Sequence, residues 1–549
     1  MCQFKAPKQK MQFLRECLSR GYLFESSLLQ LFYDSGLGDN ELSELSNFLL
    51  QLNPPKIVTK TFFYENIEKI LKNDLSESSK VFLERNSNIP AIVEIEKIKE
   101  NGGIEQDLGK NEGEDRQNSQ DSFDPTNFIN PYTCKNFEDV ETKNYLISTK
   151  KITVQDFIGV YRSRFNFLKE ILMGRGLQNL TSINKISSQK RNISIIGLVF
   201  DKRVTKNKNV LLKIEDPTGQ IPVLIRQDKS ELFEKTKSIL LDEVIAVSGV
   251  GNNEILFAND LVTVDIVKEI KHAQEEKYAA FISDMHVGSS KFLQENFLRF
   301  ISWLNGDIGS EKQREIAKKV RYLFILGDNV DGVGVYPRQE SELLIRDVKE
   351  QYKLLAELLS KIRNDVIILM CPGGKHDAVR HIEPQPKIPE DMAPELHKIK
   401  NLILTTNPCE VKIAATKTFP GFDVLMYHGD SYDYFMDSVE FLRVNNSKLK
   451  PDMIMHLLLK KRHLAPSHTS TTYFPGEQDM LTIERVPDIL VSGHIHKSAV
   501  SYYNGVLTIS CSCWQSKTAL QEKFGHEPDP CKVPLLNLKT GKINILDFS

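Results

Sequence analysis

Apolar positions change period several times along the chain, and each change marks a boundary. Between residues 10 and 75 the stretch from Phe13 to Phe32 spaces apolar residues three and four apart, and Phe62, Phe63, Ile67 and Ile70 repeat the pattern. That is the period of a helix with one face on a core, so a small helical N-terminal domain is predicted over 1–75. Residues 76–145 read as a linker, partly disordered and acidic. From about Asn101 to Pro125 it carries seven acidic residues against two basic ones, with almost nothing to bury. Such a segment cannot offset its ordering entropy. Helical period returns at Val154–Met173, where Phe157, Val160, Tyr161, Phe165 and Leu168 share a face, and predicts a connecting helix within 146–185.

Over 186–270 the period shortens to that of strands. Ser194–Val199, Val210–Ile214, Ile221–Ile225 and Val244–Gly249 are separated by turn chemistry such as Asp216-Pro217-Thr218-Gly219 and Gly251-Asn252-Asn253. About five short strands with one helix before the fourth predict an OB-like β-barrel. A generic spacer barrel is the other reading. Lys185, Lys190, Arg191, Lys202, Arg203, Lys206 and Lys208 are interrupted by a single acid, Asp201. This basic run is the expected nucleic-acid-binding surface, although such runs are often no more than a solvated face.

Within 277–549 apolar strands alternate with helices, which predicts an α/β domain. Five strand-like runs end in polar clusters: Ser283-Asp284-Met285-His286, Gly327-Asp328-Asn329-Val330-Asp331, Gly374-Lys375-His376-Asp377, His428-Gly429-Asp430 and Gly493-His494-Ile495-His496. Ligands of open α/β sheets gather at the carboxyl ends of strands, so clusters more than 200 residues apart can converge there. In extended chain, residues i and i+2 face the same side, so Asp284 with His286, and His494 with His496, form two clips. Mixed carboxylate and imidazole ligands suit manganese, iron or zinc rather than calcium. A pair of such ions ~3.5–4 Å apart can clamp a phosphate and activate water. Each fragment alone is commonplace; five in order, each at a strand end, are not.

Composition adds limits. No apolar run approaches the ~18–20 residues of a membrane span. The N-terminus has no apolar signal core, and the eight cysteines are scattered, as in a reduced, cytoplasmic protein. A net charge of −2 leaves any contact with DNA to local patches.

The motifs Asp-x-His, Gly-Asp-x-x-Asp, a Gly-x-His-Asp variant, His-Gly and Gly-His-x-His resemble the calcineurin-like metallophosphoesterase superfamily. His376-Asp377-Ala378-Val379-Arg380, Glu383-Pro384-Gln385-Pro386 and Lys461-Arg462-His463-Leu464-Ala465-Pro466 are similar to the small, exonuclease subunit of archaeal family D DNA polymerase. The resemblance covers roughly residues 150–549. It implies one divalent ion, manganese by preference, held by Asp284, His286, Asp328 and His496, and a second held by Asp328, His428 and His494. It implies His376 as the residue that stabilises the transition state or protonates the leaving oxygen, with Asp331 orienting a ligand or a turn. One departure stands out: Lys375 occupies the place of a neutral oxygen ligand to the second ion. Either the loop turns Lys375 outward, or the second site is weak, or the ammonium meets the scissile phosphate. The resemblance further implies a large catalytic subunit as partner in a heterodimer, a nucleoid-associated site of work, and single-stranded 3′ ends as substrate. Lys461 and Arg462 join Lys190, Arg191, Lys202 and Arg203 as expected strand contacts. A sliding clamp would be a further expected partner, though Phe62-Phe63 lacks the upstream Gln of a clamp-binding box. Two alternatives remain: a non-catalytic scaffold of the same polymerase, and a stand-alone phosphatase or cyclic-nucleotide phosphodiesterase.

Overall fold

The computed structural model describes residues 151–549 throughout, 139–145, and scattered positions before them. Contacts divide the chain into two units. One gathers Met1–Ile95, Ile270–Glu276 and Leu536–Ile545; the other holds Glu96–Glu269, Lys277–Leu535 and Leu546–Ser549. In the first, Glu44, Leu45, Phe48, Phe63 and Ile70 are helical, and Leu45, Phe63 and Ile70 are buried. Leu23–Phe24 departs from the helix expected there: it is extended and pairs in parallel with Ile57–Val58. Tertiary pairing outweighs local period at this point. The acidic stretch 101–125 lies outside the described residues.

In the second unit the segment expected to be linker ends as a strand, β1 (Val140–Asn144). The helix α1 (Val154–Met173) forms where its period places it, with Val160, Phe165, Leu168 and Leu172 buried. A closed five-stranded barrel follows: β2 (Arg191–Val204), β3 (Val210–Asp216), β4 (Gly219–Ile225), β5 (Val244–Gly251) and β6 (Leu256–Val262). Around the barrel the order is β2-β3-β4-β6-β5. Gly249 and Gly251 let β5 lie against β6, where a Cβ would strike backbone.

The remainder is α/β. β7 (Tyr278–Ile282), β8 (Val320–Leu326), β9 (Ile367–Cys371) and β10 (Leu402–Leu404) pair side by side, all parallel. Every residue of β7 and β9 is buried, as expected of parallel strands covered on both faces. The helices α2 (Gln294–Asn305) and α3 (Val348–Leu359) place Phe297, Phe300, Trp303, Tyr352 and Leu355 in the core cluster that covers one face. A second, six-stranded sheet contains β11 (Cys409–Ile413), β12 (Phe422–Met426), β13 (Ile489–Ser492), β14 (Ala499–Tyr503) and β15 (Val506–Ser510), in the order β14-β15-β13-β12-β11-β1. In it β12 and β13 run parallel. The edge strand β1 is held antiparallel to β11, which is why five residues of weak apolar pattern become a strand.

The helix α4 (Asp452–Lys461) ends in the Lys461-Arg462-His463-Leu464-Ala465-Pro466 element, and this run is a seam between subdomains. Lys461 is 1% exposed in its side chain and forms an ion pair with Glu243 of the barrel. Arg462 closes α4 in the left-handed region and donates to the carbonyl oxygens of Ile483 at 2.8 Å and Glu484 at 2.6 Å. The expectation of these two cations on a strand-binding surface is thereby corrected: they are buried and already partnered, so they offer no charge to a strand. His463 accepts the Ala465 N–H on Nδ1 at 2.9 Å and donates from Nε2 to Asp479 at 2.9 Å. Arg164 of α1 meets the same Asp479 oxygen at 2.6 Å and donates to the Pro466 carbonyl oxygen at 2.6 Å.

Burial alone would raise the Asp479 carboxyl, but Arg164 and His463 more than reverse this and hold it well below the usual range. A carboxyl with a depressed pKa in the fold contributes stability that is complete above the unfolded value, about pH 4, and fades as pH falls. The gap between urea midpoints of wild type and Asp479→Asn is therefore expected to be widest above about pH 4 and to narrow below it. A gap independent of pH would refute the ion-pair account.

Candidate metal centre

The parallel strands bring five loops to one edge. Asp284 and His286 follow β7, Asp328 follows β8, His376 follows β9, His428 follows β12, and His494 and His496 follow β13. Asp284, His286, Asp328, His494 and His496 all have positive φ, between 48° and 71°. Non-glycine residues avoid this region, and such strain persists only where surrounding structure imposes it, commonly at ligand sites. Three glycines make the room: a Cβ on Gly373 would fall on Asp328, one on Gly493 on Ser283 and Asp284, and one on Gly327 on His428 and Gly373.

The six expected ligands converge as two groups. Asp284, His286 and His496 form one, and Asp328, His428 and His494 the other. The Nε2 of His496 lies 3.2 Å from Asp284 Oδ1 and 3.3 Å from His286 Nε2. Asp328 Oδ2 stands between the groups, 3.8 Å from His286 Nε2 and 3.5 Å from His428 Nε2. Asp328 Oδ1 and His428 Nε2 are buried with no hydrogen-bond partner. Leaving two such atoms unsatisfied is costly unless something else binds them. Donor set, geometry and orphaned atoms all fit divalent cations.

Partners behind the ligands orient them. His428 Nδ1 donates to the Leu326 carbonyl oxygen at 2.6 Å, and His286 Nδ1 to Asp331 Oδ1 at 3.1 Å. Asp331 also accepts from Gln515 at 3.1 Å and Gln339 at 2.9 Å, and its carbonyl oxygen accepts from His376 Nδ1 at 2.7 Å. One residue thus aims both a ligand and the catalytic candidate. The His376 ring meets His286 edge-on, 4.6 Å between centroids. Burial would raise the Asp328 carboxyl, but His428 and His376 reverse this and lower it. Burial would lower the His428 imidazole, yet Asp328 beside it pushes it well up.

Three further contributors join these, and of them only Asp377 falls within a polar cluster that ends a strand-like run. Asp377, 0% exposed, accepts from the backbone N–H of Asn329 at 3.0 Å and of Gly373 at 2.6 Å, stapling the Asp328 and His376 loops together. Burial and the neighbouring Asp328 push its carboxyl up to about 6. Gln515 reaches the centre from the loop after β15, and Gln521 from the short helix that follows, 3.0 Å from His496. Sequence spacing carries no signal for either. Lys375 is exposed, which favours the outward-turned loop among the alternatives its position raised. On the barrel, Lys190, Arg191 and Arg203 are exposed, whereas Lys202 spends its ammonium on the carbonyl oxygens of Thr236 and Ile239 at 2.7 and 3.0 Å.

Residues 279–501 match the family of DNA polymerase alpha/epsilon B subunits. A DNA polymerase II small subunit of Methanothermobacter thermautotrophicus is 40% identical over 398 residues, 72% of this chain and 80% of that protein. The chain belongs to the family of archaeal DNA polymerase II small subunits. Its likeness extends to the small subunit of Halobacterium salinarum, 37% identical over 72% of this chain and 75% of that one. The Pyrococcus furiosus small subunit is 37% identical over 73% of this chain, which spans 64% of that relative's length. A solved archaeal phosphodiesterase aligns with 49% of this chain and 98% of its own at 12% identity and a TM-score of 0.23, too slight a likeness to bear on function. Among the described residues no helix is long and apolar enough to cross a membrane.

Proposed function

We propose that this chain is the small subunit of a heteromeric replicative DNA polymerase and carries a metal-dependent 3′→5′ exonuclease. The observation that supports the reading best is the convergence of six ligands with His376 around buried polar atoms that have no partner. Two divalent cations, manganese by preference, would be held by Asp284, His286, Asp328 and His496 and by Asp328, His428 and His494, and would supply Lewis acidity and an activated water. Hydrolysis forms a bond from phosphorus to water oxygen and breaks the bond to the 3′ oxygen of the penultimate nucleotide. His376, with Nδ1 tied to Asp331, presents Nε2 to protonate that leaving oxygen. The β2-β3-β4-β6-β5 order supports an OB-type barrel, whose Lys190, Arg191 and Arg203 would meet backbone phosphates of the single strand. Polymerisation belongs to a large catalytic partner.

The test is manganese-dependent digestion of a 3′-mismatched primer. Wild type is expected to digest it, and His376→Ala to be slower by about a hundredfold. Lys375 favours a second reading, a non-catalytic scaffold of the same polymerase, because an ammonium gives no lone pair where a neutral ligand is expected. Wild type inert even with the large subunit present would establish that reading instead.

A further inference from the structure

Five imidazoles surround the centre, and four of them turn their second nitrogen to an oxygen acceptor. His286 faces Asp331, His376 the Asp331 carbonyl, His428 the Leu326 carbonyl and His494 the Asp433 carboxylate. His496 differs. Its Nδ1 faces the side-chain nitrogen of Gln521, an NH2 group, at 3.0 Å. The orientation of that amide is fixed by its other end. Gln521 is the third residue of the short helix α5 (Ala519–Lys523), and its Oε1 accepts the Thr518 N–H at 3.1 Å in a capping box.

This arrangement conflicts with ligation. His496 points Nε2 at Asp284 and His286, so a bound ion needs the Nε2 lone pair, and the one imidazole hydrogen must then sit on Nδ1. There it meets the amide NH2, donor against donor. Turning the amide over relieves His496 but sets the NH2 against the Thr518 N–H. The Cys513 sulfur also lies beside His496, but a thiol sulfur is a weak acceptor, and its hydrogen goes to the Gln515 carbonyl oxygen at 3.3 Å. One amide oxygen cannot serve both donors well; a carboxylate could.

We infer that Gln521 is a positioning residue that holds His496 in the tautomer unable to bind metal through Nε2, and so weakens the first ion's site. The inference rests on the metal-centre reading. Ligation costs either the capping bond or a donor–donor contact, and α5 thereby sets the affinity of a site it does not ligate. Glu at position 521 completes the capping box and accepts the Nδ1 hydrogen at the same time.

The test is calorimetric titration of the metal-stripped full chain with Mn2+ alone. Gln521→Glu is expected to tighten the first binding event by roughly tenfold or more, the size of effect that partners behind metal ligands exert. Gln521→Met, neutral and similar in size, removes the donor without adding charge and is expected to tighten it by less. Unchanged binding in both variants, weakening in both, or tightening by Glu with weakening by Met would each overturn the inference while leaving the metal centre standing. No Mn2+ binding by any of the three proteins would overturn both. Far-ultraviolet circular dichroism of each stripped protein confirms that the comparison is between folded chains.

Discussion

Asp328→Asn is expected to abolish manganese-dependent hydrolysis, a loss on the order of a thousandfold or more, and to leave the metal-free protein less stable than wild type at neutral pH. Asp328 stands in reach of both groups of ligands, 3.8 Å from His286 and 3.5 Å from His428. An amide of the same shape keeps the packing but removes the charge that two bound cations would share. Stability falls as well, because His428 and His376 outweigh burial and favour the charged Asp328 carboxylate. Repulsion offsets part of that loss: burial first and Asp328 second push the Asp377 carboxyl up to about 6, whereas His496 holds the buried Asp284 carboxyl low in spite of Asp328. Removing the negative charge relieves that repulsion but takes from the buried His428 imidazole the carboxylate that pushes it well up. The measurement is a pair of melting curves for each protein, with and without Mn2+. Wild type should gain melting temperature on adding the ion, and Asp328→Asn should not. A variant that keeps the full Mn2+-induced rise would show that Asp328 does not bridge.

How much of this is legible in the sequence follows from where the information lies. The five loops can be read because buried parallel strands are continuous apolar runs, and a polar cluster at the end of such a run has one direction to point. Asp331 can be assigned behind the ligands because it shares a loop with Asp328. Gln515 cannot, since its partner Asp331 lies 184 residues earlier in the chain, and Gln521 cannot, since no periodic spacing places it beside His496, 25 residues before it. The strand Val140–Asn144 reads as linker because an edge strand needs few apolar residues when β11 supplies its hydrogen bonds. Leu23–Phe24 reads as helix for a related reason: its partner, Ile57–Val58, is remote. The basic run at the end of α4 misleads most. A charge run is usually solvated, and nothing within it announces that Glu243, 218 residues earlier, buries its first cation.

That burial makes Lys461→Met one of the most damaging single changes expected away from the metal centre, with a loss of about 3–5 kcal/mol. The lysine side chain is 1% exposed and its carboxylate partner 3%, so removing the ammonium strands an uncompensated charge between the barrel and α4. Adding Glu243→Leu to the same protein is expected to recover most of the loss, because two apolar groups of similar volume need no solvation. The pH dependence distinguishes this from lost packing. Burial raises the Glu243 carboxyl even with Lys461 beside it. Without the lysine the shift grows, and a carboxyl raised in the fold costs stability in full above its folded pKa, a cost that shrinks as pH falls through that value and is gone below the unfolded pKa of about 4.3. The deficit of Lys461→Met relative to wild type should therefore shrink in acid, while the double variant should show no such trend. Urea unfolding of the four proteins of the cycle, at neutral pH and at about pH 4, measures both effects. If the two single losses simply add in the double variant, the ion pair is not what joins these subdomains, and the seam must rest on Arg164, His463 and Asp479 instead.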